Sequence, residues 1–353
     1  MILMADLNEI LEIFSPFTLT EAVNLIKTDE PFVLTSRLGK NIYRAYDEVC
    51  VFEVEEGSYN LAPIGYPNDP PSEINISHKR RHYAVTPPQI FLKDRITASE
   101  INQVRMAAQN PINMTVQDKG SAFDSRIAIK QQGLKRMIER RTEWLFGQAL
   151  NGKIDYKNSD GREFVHDYNF PTSTIGNFAA ADYWDKAGNP LHQLRQLAKT
   201  FRSLNNQLAP DLIIMGSKAG DAFMNNEHIE AWLKSPGVQL FQSKNPLARG
   251  EAQPLGILEG AEVFEYSSTY DDDTGKVKTY IKDNYVYLTN STLWRLFYGA
   301  INDFSAGNPP IVAREFFSKM VANPDGKSLD IYVESHPLPV LVSNLAVVKA
   351  QVC

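Results

Sequence analysis

The stretch KGSAFDSRIAIKQQGLKRMIERRTEWLFGQALNGKIDYKNSDGREFVHDYNFP, residues 119–171, carries the strongest structural signal in the chain. Apolar residues recur at helical spacing from Ile127 to Ala149, and lysines and arginines crowd the remaining positions. This pattern predicts one long amphipathic helix over about 119–150. Asn151-Gly152 then supplies a typical helix stop.

A short alternating segment follows this helix. Lys153–Tyr156 and Glu163–Tyr168 alternate charged and apolar residues around Asp160-Gly161, where Gly161 suits a tight turn. We therefore predict a two-stranded ribbon over 153–168. It has no catalytic grouping, and an isolated ribbon of this size is marginally stable, so it must serve contact with something else.

Length and composition set broad limits. The chain has 353 residues, enough for about two compact domains, and 43% of them are hydrophobic, which is typical of a globular protein. The net charge of -6 and the pI of about 5.6 argue against a protein that coats nucleic acid. Cys50 and Cys353 are expected to be free thiols in a reducing compartment. With no signal-like N-terminus and no membrane-spanning apolar run, we expect a soluble, cytoplasmically made protein.

The N-terminal part of the chain is predicted to form extended segments that have no hydrophobic core of their own. Residues 1–30 predict an arm of two short helices, Leu7–Phe14 and a second capped by Thr18. Strand patterns then flank the proline-rich APIGYPNDPPS and predict a long antiparallel hairpin that folds back near Pro67. Folding there sets acids opposite bases, which makes them candidate contact residues: Glu53, Glu55, Glu56, Lys79, Arg80 and Arg81.

The remaining segments predict an α/β block and a strand-rich end. Residues 181–300 alternate helical patterns with buried strands such as DLIIMG, and the segment from 328 onward is strand-like. The basic surface of the long helix, 135–141, is expected to be a solvated face.

Catalytic and ligand-binding motifs are not recognisable. LIIMGSKAGDAF lacks the Lys-Ser/Thr of a phosphate loop and predicts a strand that leads into a helix start at Ser217. YDDDTGK lacks the spaced acids of a calcium loop and predicts a hairpin turn. The six histidines lack metal-ligand spacing, so we expect no metal and no cofactor. Two functional classes stay open: a self-assembling structural subunit, and a soluble enzyme or small-molecule-binding protein that uses residues 181–300.

Five segments, in order along the chain, resemble the phage lambda E-type major capsid proteins, which share the Hong Kong 97-type fold. The segments are FTLTEAVNLI, ALNGKIDYKNSDGREFVHDYNF, DLIIMGSKAGDAF, VYLTNSTLWRLFYGAI and IYVESHPLPVLVSNLAVVKAQV. The resemblance implies an α+β fold with no enzymatic activity. Its implied parts are an N-arm (1–30), an extended hairpin called the E-loop (31–92), a peripheral domain with a spine helix (93–180), an axial domain (181–310) and strands returning to the peripheral domain (311–353).

The resemblance also implies a function and partners. The chain would be the major head protein of a tailed phage or prophage, assembling in the bacterial cytoplasm into hexamers and pentamers of an icosahedral shell around double-stranded DNA. Its partners would be copies of itself, a scaffolding protein, a portal, in some relatives a decoration protein, and DNA without sequence specificity. No cleaved scaffolding segment is expected, since the arm starts almost at once. The ribbon would project toward neighbouring subunits, which adds candidate contacts at Asp160, Gly161, Glu163, His166 and Asp167.

Overall fold

The computed structural model describes residues 14–28, 32–56, 79–97, 99–100, 116–157, 161, 163–233, 252–272, 274–307, 310–324 and 326–353. Its α-helices are α1 (Pro16–Leu25), α2 (Val33–Leu38), α3 (Val116–Asn151), α4 (Pro190–Leu204), α5 (Ser217–Met224) and α6 (Glu227–Leu233). Short 3-10 helices lie at Thr172–Thr174, Ala180–Asp182, Ser291–Leu293 and Phe304–Ala306. The predicted helix Leu7–Phe14 falls almost wholly outside the described residues.

The strands are spread over the whole chain. In order they are β1 (Ile42–Arg44), β2 (Cys50–Glu56), β3 (Lys79–Val85), β4 (Ile90–Thr97), β5 (Lys153–Lys157), β6 (Glu163–Asp167), β7 (Ile175–Gly176), β8 (Leu212–Met215), β9 (Ala252–Leu258), β10 (Ala261–Tyr266), β11 (Thr269–Asp271), β12 (Val277–Thr279), β13 (Tyr285–Thr289), β14 (Trp294–Tyr298), β15 (Ile301–Asn302), β16 (Ile311–Val312), β17 (Phe317–Ala322), β18 (Ser328–Ser335), β19 (Pro337–Leu341) and β20 (Val347–Gln351).

The spine helix, α3, is the predicted long helix and has 36 residues, about 54 Å at the usual rise. Its apolar stripe is buried, as Ile127, Ile138 and Ala149 illustrate. The helix ends at the predicted stop, where Gly152 takes a φ of 92° that favours glycine. From the last strand of the chain, the Nζ of Lys349 donates to the carbonyl oxygen of Asn151 at 2.6 Å, a cation at the negative end of the helix dipole.

The predicted α/β block forms around a six-stranded sheet of order β7-β20-β13-β8-β10-β9. Strand β8 is buried on both faces, as its unbroken apolar sequence predicts. Its residues alternate between two cores: Ile213 and Met215 pack with α4, α5 and α6, whereas Leu212 and Ile214 pack with the core of the spine helix. A helix begins at Ser217 as predicted, and Asn225-Asn226 separates it, α5, from the next helix, α6.

Two three-stranded sheets flank the other parts of the spine helix. One has the order β17-β18-β4 and the other β1-β14-β19. The sheet β17-β18-β4 packs with α1 and the N-terminal half of α3. Together they form a separate hydrophobic core, which includes Leu19, Leu134 and Ile331. Strand β20 lies in the six-stranded sheet, and the other strands after residue 310 lie in three further sheets. None of the described helices is long and apolar enough to cross a membrane.

The first described helix differs from the prediction in its cap. The hydroxyl of Ser15 accepts a hydrogen bond from the Thr18 amide at 3.3 Å, with Pro16 at the first helical position. Thr18, the predicted cap, lies inside the helix. Proline suits that first position because its missing N–H is not needed there, so Ser15-Pro16 was the stronger signal.

Candidate subunit-interface surfaces

Strands β2 and β3 pair antiparallel as the sequence predicts, with acids opposite bases at two positions. Glu55 lies opposite Arg80 and Glu56 opposite Lys79, so the register centres on residues 67–68, where the fold-back was expected. Glu53 lies opposite His82, and Arg81 lies opposite Val54, so these two predicted partners are not directly paired. Among the described residues β2 and β3 pair with no further strand.

The ribbon, β5 and β6, has one buried and one charged face. Lys153 pairs with Asp167 and Lys157 with Glu163 across the strands. The inner face packs on the protein, and the outer face is exposed: the outer side chains are Lys153, Asp155, Lys157, Glu163, Val165 and Asp167. Asp160 lies outside the described residues, whereas Gly161 has a φ of 81°, consistent with its predicted turn.

Aromatic contacts fix the ribbon to the spine helix. The guanidinium of Arg141 lies 5.2 Å from the Trp144 ring and 4.7 Å from the Tyr156 ring. The Trp144 indole donates to the Tyr270 hydroxyl at 2.9 Å, and Ile154 is fully buried. Cation–π contacts and burial of this kind hold a ribbon that would be marginal alone. The orientation of its charged outer face is therefore set by the protomer itself.

His166 lies on the wrong face for the contact that the sequence predicts. It is buried on the inner face, and its ring packs edge-on against Tyr168 with centroids 4.5 Å apart. Burial lowers the pKa of its imidazole, with the neighbouring Asp167 acting in the opposite direction. Because a strand alternates faces, Glu163 and Asp167 point outward while His166 points inward. His166 is thus a structural residue of the ribbon.

We predict that His166 makes the fold sensitive to acid. The folded protein keeps the imidazole neutral, whereas the unfolded chain binds a proton below a pKa of about 6.5. The stability is therefore present above that pH and declines as the pH falls below it. Between pH 7.5 and 5.5 the melting temperature of the wild type should fall about 1–2 °C further than that of His166→Gln, measured by thermal unfolding. An identical fall in both proteins would contradict this assignment.

A row of four polar side chains on the spine helix was not predicted. We call Gln131, Lys135, Glu139 and Glu143 the polar row; they are spaced four residues apart and therefore follow one face of the helix. Each bonds the segment that runs from α1 to α2. In order along α3, the atoms bonded are the Leu19 carbonyl oxygen, the Val23 and Ile26 carbonyl oxygens, the Thr28 hydroxyl, and the amides of Leu34 and Thr35.

Lys135 corrects the prediction of a solvated basic face. Its side chain is only 7% exposed. The Nζ donates to the carbonyl oxygens of Val23 at 3.0 Å and Ile26 at 2.7 Å, and lies 4.8 Å from the Phe316 ring. Those carbonyls end α1, so the ammonium caps the helix and complements its dipole. Burial lowers the pKa of Lys135, although Glu139 opposes this.

Glu143 is fully buried and binds the start of α2. One carboxylate oxygen accepts from the Leu34 amide at 2.8 Å and the Tyr266 hydroxyl at 2.6 Å. The other accepts from the Thr35 amide at 2.7 Å and the Thr35 hydroxyl at 2.6 Å. All four positions around the two oxygens are used, as a buried carboxylate requires. Burial raises the pKa of Glu143, and these donors oppose the shift.

Helix α1 also covers the free edge of strand β17. The Thr20 hydroxyl donates to the Ser318 carbonyl oxygen at 3.2 Å and accepts from the Ser318 amide at 3.0 Å. The Asn24 amide donates to the Phe316 carbonyl oxygen at 2.9 Å. Side chains thus satisfy backbone groups that an open edge would offer to another chain.

An apolar groove lies beside α1. Its volume is about 690 Å³, and several large side chains on it are exposed to solvent. Phe17, Leu25, Tyr46 and Ile311 range from 41% to 80% exposed. An exposed group of this kind is typical of a surface that a protein partner covers.

The α/β block contains a cleft, as the alternative enzyme class would require. Its volume is about 1200 Å³, and it lies between Trp184, the start of α5 and the C-terminal Cys353. Lysines and acids line it in similar numbers, and within the described ranges no three His, Cys, Asp or Glu side chains are grouped to hold a metal. The two motifs weighed as sites are structural: α5 begins at Ser217, and Asp272 accepts the Thr274 and Lys276 amides in the β11–β12 turn.

Comparison with known proteins decides between the two classes. The family of phage major capsid protein E matches residues 15–352, nearly the whole chain. The chain belongs to the phage major capsid protein E family. The capsid protein is thus the structural subunit of an oligomeric phage or prophage shell and part of the virion, as the resemblance of its motifs predicts.

Solved structures confirm the fold of the capsid protein. It is similar to a prophage capsid protein from E. coli CFT073, with a TM-score of 0.66, 16% identity, and coverage of 96% of this chain and 99% of that one. It is also similar to a phage-related protein from Bordetella bronchiseptica RB50, with a TM-score of 0.53, 9% identity, and coverage of 95% and 96%. No curated protein matches it in sequence. The α+β fold is the Hong Kong 97-type capsid fold.

Proposed function

We propose that the capsid protein meets neighbouring copies through the β2–β3 hairpin and the outer face of the ribbon, and forms hexamers and pentamers of an icosahedral shell. The observation that carries this proposal is that the β2–β3 hairpin pairs with no further described strand, while the ribbon exposes a face of mixed charge. Two-stranded sheets are marginal on their own. The acid-opposite-base register of the hairpin and the mixed charges of the ribbon give each a surface that can match another copy.

We infer the further partners from what the assembly and filling of a phage shell require. We propose assembly in the bacterial cytoplasm with a scaffolding protein and a portal, with a decoration protein as an additional partner, and contact with packaged DNA without sequence specificity. The net charge of -6 fits a shell whose surface must not bind DNA tightly during packaging. We propose no catalytic role, and the domain boundaries given from the sequence remain part of this proposal.

Co-expression with a candidate scaffolding protein tests this function. We expect shells, tubes or capsomers by negative-stain electron microscopy, and a fast component in sedimentation velocity. The same expression without the scaffold gene serves as the comparison, because it shows how far the capsid protein assembles alone. A well-folded monomer that forms no assembly under either condition would refute the proposed contacts.

A further inference from the structure

The four residues of the polar row bond their partners in the same order along the chain. From Gln131 to Glu143 the partners run from Leu19 to Thr35, so the described parts of 19–35 run in the same direction as the spine helix. Two of the bonded groups in α1 and the one on Ile26 just after it are backbone carbonyls, and two in α2 are backbone amides. The row thus recognises the path of the backbone more than particular side chains.

Lys135 and Glu143 hold two different segments of the chain. Lys135 binds the last turn of α1, the helix of the N-arm. Glu143 binds the first turn of α2, and four residues after α2 the chain enters β1 and then the β2–β3 hairpin. Glu143 also accepts from Tyr266 in β10, so α2 is fixed to the six-stranded sheet as well. A second link, an ion pair of 2.7 Å between Arg37 and Glu262, connects the same helix to the same strand.

We propose that the polar row positions the N-arm and the base of the hairpin for contact with a second copy of the chain, with Lys135 and Glu143 as its two positioning residues. The inference rests on the proposed role of the hairpin between subunits. A hairpin seven residues long in each strand extends about 23 Å from its base. The chain reaches this hairpin from α2 through β1, so the bonds of Glu143 fix the approach to its base. The spine helix acts as the rigid frame, because Lys135 and Glu143 are buried on it.

Two conservative variants test the polar row separately at α1 and at α2. Lys135→Met keeps the length and apolar stem of the side chain and removes the ammonium. Glu143→Gln keeps the shape and directs an amide NH₂ toward groups that are themselves donors. The matched controls are Lys199→Met on α4 and Asp124→Asn on α3, both at exposed positions.

Hydrogen–deuterium exchange of the soluble subunit is the first measurement, and the yield of assembled shells is the second. We expect exchange to rise at least tenfold in 16–25 for Lys135→Met and in 33–38 for Glu143→Gln, with β8 and β13 unchanged. Shell yield should fall at least fivefold in both, and in neither control.

Three results would overturn the proposal: no change in exchange, an equal rise over the whole chain, or a local rise with normal shell yield. The proposed hairpin contact can fail separately, because reversal of Arg80 and Arg81 tests it without touching the row.

Discussion

Replacing Gly147 with alanine is expected to lower the free energy of unfolding by about 3 kcal/mol. Gly147 is a buried residue of the spine helix. A Cβ built there would lie 2.2 Å from the carbonyl oxygen of Tyr280 and 3.0 Å from its carbonyl carbon. Both are backbone atoms, so no side chain can rotate away. Tyr280 is itself 3% exposed and packs in the core that joins the spine helix to the six-stranded sheet.

The same helix offers the matched control. Gly133 is exposed, and a Cβ added there meets no atom within 4 Å. Gly133→Ala should therefore stabilise the protein by about 0.5–1 kcal/mol, because alanine loses less backbone entropy on forming a helix. Urea unfolding of the two variants, followed by circular dichroism, measures both signs. If Gly147→Ala cost no more than about 0.5 kcal/mol, the close approach of helix and loop would be wrong.

Local sequence patterns were sufficient to predict the elements that have a strong periodic repeat of apolar residues. The spine helix repeats its apolar residues over many turns, and Asn151-Gly152 marks its end, so its existence and end were predictable. The register of β2 and β3 followed from alternation and one fold-back point. The fold itself came from the order of several motifs, each of them weak alone.

The polar row shows what local patterns leave undetermined. Lys135 and Glu143 have the composition of a solvated helix face, and their burial depends on segments more than 100 residues away in sequence. The only available signal was the four-residue spacing from Gln131 to Glu143. The inward face of His166 was predictable in principle, because alternation with the outward Glu163 and Asp167 determines it. The place of β20 beside β13 in the six-stranded sheet depends on long-range pairing, which periodicity does not encode.

Reversing the charges of Arg80 and Arg81 to glutamate should abolish shell assembly and leave the fold of the subunit nearly intact. Arg80 lies opposite Glu55, so the variant sets two carboxylates across from each other. Within one hairpin such a pair costs under about 1 kcal/mol. In a shell every neighbouring copy would also meet the reversed charges, so a small cost repeated at each contact between copies lowers the yield of complete shells by more than tenfold. We expect the melting temperature to change by less than about 3 °C.

A charge swap separates contact within the hairpin from contact between copies. Arg80→Glu with Glu55→Arg restores opposite charges across the strands, so assembly would return if only the hairpin's own pairing mattered. We expect assembly to stay impaired, because a neighbouring copy would still present its surface to reversed charges. Lys186→Glu with Lys199→Glu changes the net charge as much as the reversal of Arg80 and Arg81 does, but at exposed positions of the α/β block. It therefore controls for general repulsion. Shell yield by sedimentation, beside thermal unfolding of the soluble subunit, distinguishes these cases. Equal losses of fold and assembly in the Arg80 and Arg81 variant, or full recovery in the swap, would show that these charges act inside one subunit.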